Sequence, residues 1–339
     1  MSEALRQKWA GLVGVWSLRS HLEVALATCW RRAIARHPLP DLPELQNQIG
    51  LRRVDAPTGV VYSSAIALRL AASLGIPSTD LVEALAQSWP PFIKDKADWA
   101  DSLLRVTPKH LVQIHLGDRL LATWLQQFSR STYSKFPDLS PGLSISRAPY
   151  SSDSRPPARV SLGRLQDNSF QGNYFQDNSF QDNSFQDNSF QDNYFELQAA
   201  HARCCSLLAL AERVGLVRFE AQGAVDSELV WPMPLPWLKA DGTLRIQQPV
   251  EQQLIGKLVD IVDVLVDASG QVQHRSAIAL AQALSRCVYE FDAGCRVLGD
   301  VAGNQSELAQ ARLGLVRAAQ QLLCWLLEGQ LQVAAPASL

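Results

Sequence analysis

A regular pattern of apolar positions first appears between residues 17 and 36. The apolar residues recur with the period of an amphipathic helix, at Leu18, Leu22, Val24, Leu26, Trp30 and Ile34. A Pro-Leu-Pro sequence follows at 38–40 and predicts the end of this helix.

Further patterns in the N-terminal region alternate between strand and helix. Residues 49–54 and the segment around 111–115 have the composition of strands. Residues 62–74 predict a helix that Gly75 ends, and Ser78 is placed to cap a second helix that runs through Trp89. This order of elements predicts a small α+β domain over residues 1–128.

The clearest helical pattern of the C-terminal part lies near the end of the chain. Its apolar residues share one face of a helix, at Leu308, Leu315, Ala319, Leu322 and Leu326. Asn304 and Glu307 predict a capping pair at its start, and Gly329 predicts its end. Together with a helical segment at 276–298, this pattern predicts an all-α helical bundle over residues 195–339.

Composition changes between these two regions. Residues 129–164 are rich in Ser, Pro and Arg, and a five-residue unit of the type Gln-Asp-Asn-Ser-Phe then occurs six times up to residue 195. Such composition favours solvated, extended backbone, so we predict a disordered low-complexity linker over residues 129–194. The alternative is a pentapeptide-repeat β-helix. Six units would form only about one and a half coils, and their Asn side chains would enter the interior unsatisfied.

Composition and charge narrow the functional classes. The 339 residues are 47% hydrophobic and carry a formal net charge of −2. No apolar run approaches the roughly 20 residues of a membrane helix, and no signal peptide is recognised, so we expect a cytoplasmic protein without membrane contact. There is no P-loop or Gly-x-Gly-x-x-Gly sequence. His201 beside Cys204 and Cys205 lacks a fourth metal ligand, so we expect no cofactor and no metal.

Several sequences of the C-terminal part occur in a recognisable order. They are Gln-Ala-Ala-His-Ala-Arg at 198–203, Leu-Ile-Gly-Lys-Leu at 254–258, the segment 276–298 and Ala-Arg-Leu-Gly-Leu-Val at 311–316. This order resembles the anticodon-binding domain, of the DALR type, of arginyl-tRNA synthetases. Ala199 and Asp292 stand where that family carries aromatic residues. The resemblance implies anticodon contacts by Gln198, His201, Arg203, Arg286, Arg296 and Arg312, and each of these has an alternative role in surface ion pairing or helix solubility.

The N-terminal segments 59–68, 74–77 and 81–85 resemble the additional N-terminal domain of the same family, which contacts the D-loop at the tRNA elbow. The resemblance implies that Tyr62 stacks on a base beside Ser63, although Ser63 and Ala65 replace the Gln and Asn usual there. Residues 65–86 also fit a DNA-binding helix-turn-helix. Its second helix would begin at Ser78 and offer no Lys or Arg to phosphates, so we expect no DNA partner.

An arginyl-tRNA synthetase carries a catalytic domain with HIGH and KMSKS signatures between these two domains. Here the linker occupies that place, and the nearest lookalikes, at 115–118 and 133–135, lie too close together. The resemblance therefore implies a core-less paralogue that binds tRNA without aminoacylating it.

Such a paralogue would act as an adaptor or regulator, with tRNA-Arg as the first candidate and a tRNA-modifying enzyme or a synthetase as a protein partner. Acidic residues outnumber basic ones from residue 195 onward, and RNA affinity rests on phosphate neutralisation. Two alternatives therefore stay open. One is a protein-interaction module that has lost tRNA binding, and the other is the non-catalytic half of a split arginine–tRNA ligase.

Overall fold

The computed structural model describes residues 17–33, 49–54, 56, 59–94, 96–130, 190–221, 227–267 and 274–339. Most of the predicted linker lies outside these residues. Helices reach into both of its ends, because one helix runs to Arg130 and the next described helix begins at Phe190. The predicted boundaries at 129 and 194 therefore overlap helical residues.

The N-terminal region combines helices with a four-stranded antiparallel sheet. The helices are α1 (Leu18–Ala33), α2 (Ile66–Leu74), α3 (Ser78–Ile93) and α4 (Asp118–Arg130), with a short 3₁₀ helix at Ala97–Trp99. The strands are β1 (Arg52–Val54), β2 (Val61–Ser64), β3 (Leu103–Val106) and β4 (Val112–His115), in the order β1-β2-β4-β3. Helix α1 packs on α3, and α3 on β3. Helices on a small sheet agree with the predicted α+β class.

Two local predictions in this region need correction. Tyr62 belongs to strand β2 rather than to a helix, and helix α2 begins only at Ile66, whose N–H donates to Ser64 Oγ at 3.1 Å. Ser78 does not cap α3. Its hydroxyl lies 2.6 Å from His110 Nδ1, and Pro77 occupies the N-cap position. The predicted end of α2 is confirmed, because Gly75 adopts the left-handed φ of 66° and donates to Ala71 O.

The C-terminal region is a helical assembly with one small two-stranded ribbon. Its helices are α5 (Phe190–Arg213), α6 (Pro249–Asp267), α7 (His274–Gly294), α8 (Asp300–Asn304) and α9 (Ser306–Cys324), and a π-helical turn follows at Trp325–Gln330. The ribbon pairs β5 (Arg218–Phe219) with β6 (Leu229–Trp231). Helix α9 is the central element, because α4, α5, α6 and α7 all contact it.

Helix α9 differs from its sequence-based prediction. Every residue from Ala309 to Leu327 is buried, so this segment is enclosed on all sides rather than apolar along one face. Gln305 occupies the N-cap position and no side chain caps the helix, so the predicted Asn304–Glu307 capping pair is wrong.

The N- and C-terminal regions pack directly on each other and share one hydrophobic core. Helix α4 lies against α9, and α1 touches α6. Polar contacts secure the same interface. Gln126 Oε1 accepts hydrogen bonds from Leu235 N at 2.8 Å and Trp237 Nε1 at 3.1 Å, and Asp118 Oδ2 accepts one from Leu244 N at 2.9 Å. The chain therefore brings together two regions that the predicted linker separates in sequence.

Candidate RNA-contacting residues

Tyr62, the residue predicted to stack on a tRNA base, is fully buried. Its hydroxyl donates a 2.5 Å hydrogen bond to Asp263 Oδ2 on helix α6, and Ser17 Oγ donates to Oδ1 of the same carboxylate at 3.0 Å. Burial, and then the charge of Asp263, raise the pKa of Tyr62 well above its usual value. The predicted stacking role is therefore incompatible with its position. Its neighbour Ser63 is half-buried on the same strand.

A second contact holds helix α6 against the sheet next to Tyr62. Arg53 donates from Nε and Nη2 to the two carboxylate oxygens of Asp260, with a distance of 2.7 Å for Nη2. Lys257 Nζ lies 3.7 Å from the same carboxylate. Gly256 lets the guanidinium approach closely, since a Cβ there would lie 3.0 Å from Arg53 Nη1. Helix α6 thus covers the face of β2 that carries Tyr62.

Gln198 and His201, one turn apart on helix α5, hold the C-terminal segment of the chain. Gln198 Nε2 donates to Ala334 O at 2.9 Å, and His201 Nδ1 lies 2.9 Å from Pro336 O. Because a carbonyl oxygen can only accept, Nδ1 carries the proton, and Nε2 accepts from Gln320 Nε2 at 2.9 Å. His201 is fully buried. Its predicted contact with an anticodon is incompatible with this position.

Arg312 is buried inside the C-terminal region. Its side chain is 4% exposed and donates from Nε to Glu251 Oε1 at 2.7 Å, while the Glu251 side chain is 1% exposed. Its Nη1 also donates to Arg296 O at 2.6 Å. These bonds join helices α9 and α6 to the segment after α7. Arg312 is therefore a structural residue, and its predicted RNA contact needs correction.

Arg203 is half-exposed and pairs with Asp292 on helix α7. Its Nε donates to Oδ2 at 2.9 Å and its Nη2 to Oδ1 at 3.4 Å. Asp292 is the residue that stands where the resemblance led us to expect an aromatic side chain. The alternative role of Arg203 in ion pairing is thus the one that the structure displays.

The remaining two predicted residues, Arg286 and Arg296, are exposed at the surface. Arg286 lies on a face of α7 whose exposed residues recur at helical spacing, at Arg275, Ala279, Arg286, Tyr289 and Ala293. Tyr289 is 41% exposed and donates only a 3.4 Å hydrogen bond to Glu196 O. The sequence-based prediction missed Tyr289, although its spacing from Arg286 places both on one face. Arg296 follows α7, which ends at Gly294. We call Arg286 and Tyr289, together with Arg296 after the helix, the α7 surface.

Three curated proteins similar to this chain are arginine–tRNA ligases. An arginine–tRNA ligase of Synechococcus sp. (strain JA-3-3Ab) is 29% identical over 140 residues, which are 41% of this chain and 21% of that ligase. The arginine–tRNA ligase of Heliobacterium modesticaldum is 33% identical over 120 residues, 35% of this chain and 18% of the ligase. The arginine–tRNA ligase of Pelodictyon phaeoclathratiforme is 28% identical over 127 residues, which are 38% of this chain and 20% of that ligase. The chain is partly related to the arginine–tRNA ligases.

The matched segments are a limited part of this chain and of each ligase. The chain spans about a fifth of the length of the arginine–tRNA ligases that it matches. No family model matches the chain, and no solved structure matches it.

The lookalikes of the ligase signatures serve the fold where they are described. His115 lies in strand β4, and burial lowers its pKa. Asp118 begins helix α4 and accepts the Leu244 N–H. The lookalike at 133–135 lies outside the described residues. Within the described ranges, no group of three or more His, Cys, Asp or Glu side chains could hold a metal ion. No helix of that same part of the chain is long and apolar enough to cross a membrane.

Proposed function

We propose that this chain binds tRNA, with tRNA-Arg as the first candidate, and acts as an adaptor or regulator without aminoacylation of its own. The observation that carries the proposal is the partial relationship to three arginine–tRNA ligases. The matched residues amount to about a fifth of each ligase, which supports a relationship to part of a ligase rather than to a whole one.

The α7 surface is the best candidate for the RNA contact. Of the residues that the resemblance implied for the anticodon, Arg286 and Arg296 are the two that are exposed and without an ion pair among the contacts described above. Tyr289 adds an exposed ring one turn from Arg286. Guanidinium groups neutralise phosphates, and an aromatic ring stacks on a base with about 1–3 kcal/mol. Arg286 and Tyr289 would supply both types of contact from one face of α7.

A salt-dependent titration of the full chain with tRNA tests this proposal. We expect affinity that falls as salt rises, and the Arg286→Gln/Arg296→Gln variant should bind more weakly. Each lost phosphate contact should reduce the log–log salt slope by roughly 0.7–0.9. The matched control is Arg105→Gln/Lys109→Gln, which removes the same charge near strand β3, where both residues are exposed.

The control should bind tRNA as wild type does, and all variants should keep the circular dichroism spectrum of the wild type. Wild-type protein without tRNA affinity above background at low salt would contradict the proposal. An α7 double variant that binds as well as wild type would contradict the assignment of the surface.

A protein-interaction module is the second candidate function. It is favoured by the intramolecular roles of Tyr62, His201 and Arg312, which the resemblance had implied for RNA. A split synthetase supplied with its catalytic domain in trans is the third. Purification from the native host with sequencing of bound RNA and identification of bound protein separates all three.

All three candidate functions make the same prediction for the purified chain. Arginine-dependent ATP–pyrophosphate exchange should be absent from the chain alone under all three candidate functions. Exchange that survives rigorous removal of host synthetase would overturn the proposal that the chain does not aminoacylate.

A further inference from the structure

Two adjoining cavities form a groove along the C-terminal end of helix α5. The first has a volume of about 430 Å³ and lies between α5 and the side chain of Arg317. The second has a volume of about 550 Å³ and lies between the end of α5 and the β5–β6 ribbon. Glu212 and Phe219 line both cavities. We therefore treat the two cavities as one feature, the α5 groove.

Large apolar side chains are exposed in and beside the α5 groove. Leu210 in the first cavity is 45% exposed, Trp231 in the second is 43% exposed, and Val214 between them on the chain is 57% exposed. Leu208 and Phe219 add apolar wall area inside. Soluble proteins rarely expose apolar side chains in a contiguous group unless the group meets another molecule. This surface lies on different elements from the α7 surface.

The charges along the α5 groove are predominantly positive. Three guanidinium groups line it, those of Arg213, Arg218 and Arg317, against the single carboxylate of Glu212. Glu212 Oε1 already accepts a hydrogen bond from Phe219 N at 3.1 Å. Arg213 and Arg218 are exposed, and Arg218 pairs across the ribbon with Trp231. An occupant with carboxylates would therefore complement the groove.

We propose that the α5 groove binds an acidic peptide segment of a partner protein, with an aromatic side chain as its anchor. The anchor enters the apolar space beside Phe219 and Trp231, and adjacent carboxylates pair with Arg213 and Arg218. The aliphatic walls at Leu208 and Leu210 favour a peptide over a nucleic acid, because RNA recognition relies on aromatic stacking and phosphate pairing. Aromatic anchors in pockets carry much of the affinity of such interfaces. This inference does not rest on tRNA binding.

A synthetic peptide of three Gln-Asp-Asn-Ser-Phe units, the sequence found at 176–190, provides the probe because it combines Asp with Phe. Fluorescence anisotropy with the labelled peptide and the full chain should show saturable binding. Trp231→Ala should weaken binding by about tenfold or more, as for an aromatic hot spot. Arg213→Gln/Arg218→Gln should also weaken it and reduce its salt dependence.

Matched controls isolate the groove and the chemistry of the peptide. Tyr289→Ala and Arg286→Gln/Arg275→Gln change the exposed face of α7 in the same way and should leave peptide affinity unchanged. Peptides with Phe replaced by Ser, or with Asp replaced by Asn, should bind more weakly. The same titration with a variant that lacks residues 166–189 removes the repeat except for Phe190 and its last unit, at 191–195, so that fewer copies in the chain itself could compete.

Two results would overturn the inference. The first is the lack of saturable peptide binding by both the full chain and the shortened variant. The second is peptide binding that the groove substitutions leave unchanged. An RNA oligonucleotide that binds in a Trp231-dependent manner, while the peptide does not bind, would reassign the groove to nucleic acid.

Discussion

Asp263 is a buried carboxylate that accepts hydrogen bonds from two separate parts of the N-terminal region, Ser17 and Tyr62. A hydrogen bond to a charged group contributes about 1.5–3 kcal/mol, so each donor stabilises the contact between sheet and helix α6. Because burial disfavours the phenolate, and Asp263 disfavours it further, the pKa of Tyr62 is raised in the folded protein. The stabilisation that Tyr62 contributes should therefore decrease at alkaline pH.

Tyr62→Phe should destabilise the chain by roughly 1.5–3 kcal/mol at neutral pH. The contribution of Tyr62 is fully present below the pKa of an unfolded tyrosine, about 10, and is lost as pH rises towards the higher folded pKa. The difference in unfolding free energy between wild type and variant, measured in urea, should thus stay constant to about pH 9 and shrink above about pH 10. At neutral pH the more exposed control Tyr289→Phe, which loses only a 3.4 Å hydrogen bond to Glu196 O, should cost less than Tyr62→Phe. A difference that does not change with pH would contradict the assignment.

Both residues of the Arg312–Glu251 pair are buried. Replacing its arginine should therefore cost more stability than replacing the arginine of the more exposed Arg203–Asp292 pair. Arg312→Met leaves a buried carboxylate without its guanidinium and should cost roughly 3–5 kcal/mol. The double variant Arg312→Met/Glu251→Gln removes the uncompensated charge and should lose less. Arg203→Met should cost less than about 1 kcal/mol, since its pair is screened by solvent. Urea unfolding of the wild type, the two single variants and the double variant measures these losses of unfolding free energy. Equal losses from Arg312→Met and Arg203→Met would contradict it.

At the level of elements, helix α9 crosses close to the segment before α6. A Cβ on Gly314 would lie 2.7 Å from Leu235 Cδ1 and from the Trp237 ring. Gly314→Ala should therefore destabilise the chain by about 1–3 kcal/mol through overpacking. Gly303 lies in the short helix α8, and a Cβ added there would have no neighbouring atom within 4 Å. Gly303→Ala should therefore be neutral or stabilising by up to about 1 kcal/mol. Thermal melts of both variants check the contrast, and an equal response would remove the close-packing explanation.

Local signals in the sequence predict many elements and few of their surroundings. The apolar period of α1 predicts that helix, and Gly75 predicts the end of α2, because both signals act within a few residues. The predicted helix over residues 62–74 wrongly includes residues 62–64 of strand β2, since a short segment fits both periods. The roles of Gln198 and His201 depend on a tail more than 130 residues away. Spacing places such side chains on one helix but leaves open what covers them.

The sequence is sufficient to place Tyr289 on the same face of α7 as Arg286, although the prediction omits Tyr289. Tyr289 follows Arg286 by one turn of α7, so the two share a face by helical geometry. The prediction names Arg286 as the one α7 residue and omits the ring one turn further along the helix. Exposed apolar residues at the α5 groove could not be anticipated, because Leu210 and Val214 continue a helical apolar pattern that is buried elsewhere in α5.

At the scale of the whole molecule, the N- and C-terminal regions behave as one packed unit. They share a core, and the Arg53–Asp260, Tyr62–Asp263 and Gln126–Trp237 contacts all cross between them. Within the described residues, the two regions that the resemblance assigned to opposite sides of a catalytic domain meet face to face. This interface gives a physical reason to expect cooperative unfolding of both regions.

We therefore expect one thermal transition, with the same midpoint by tryptophan fluorescence and by far-ultraviolet circular dichroism. A variant that lacks residues 166–189 should keep this transition within about 2 °C of wild type. The contacts that join the two regions lie outside the deleted segment, and halving a loop changes its closure free energy by only about 0.6 kcal/mol. Arg53→Ala combined with Tyr62→Phe removes two of the crossing contacts and should lower the midpoint far more than the deletion does. Two resolved transitions in the wild type, or a deletion that destabilises more than the interface variant, would show that the regions fold separately or that the repeat supports the fold.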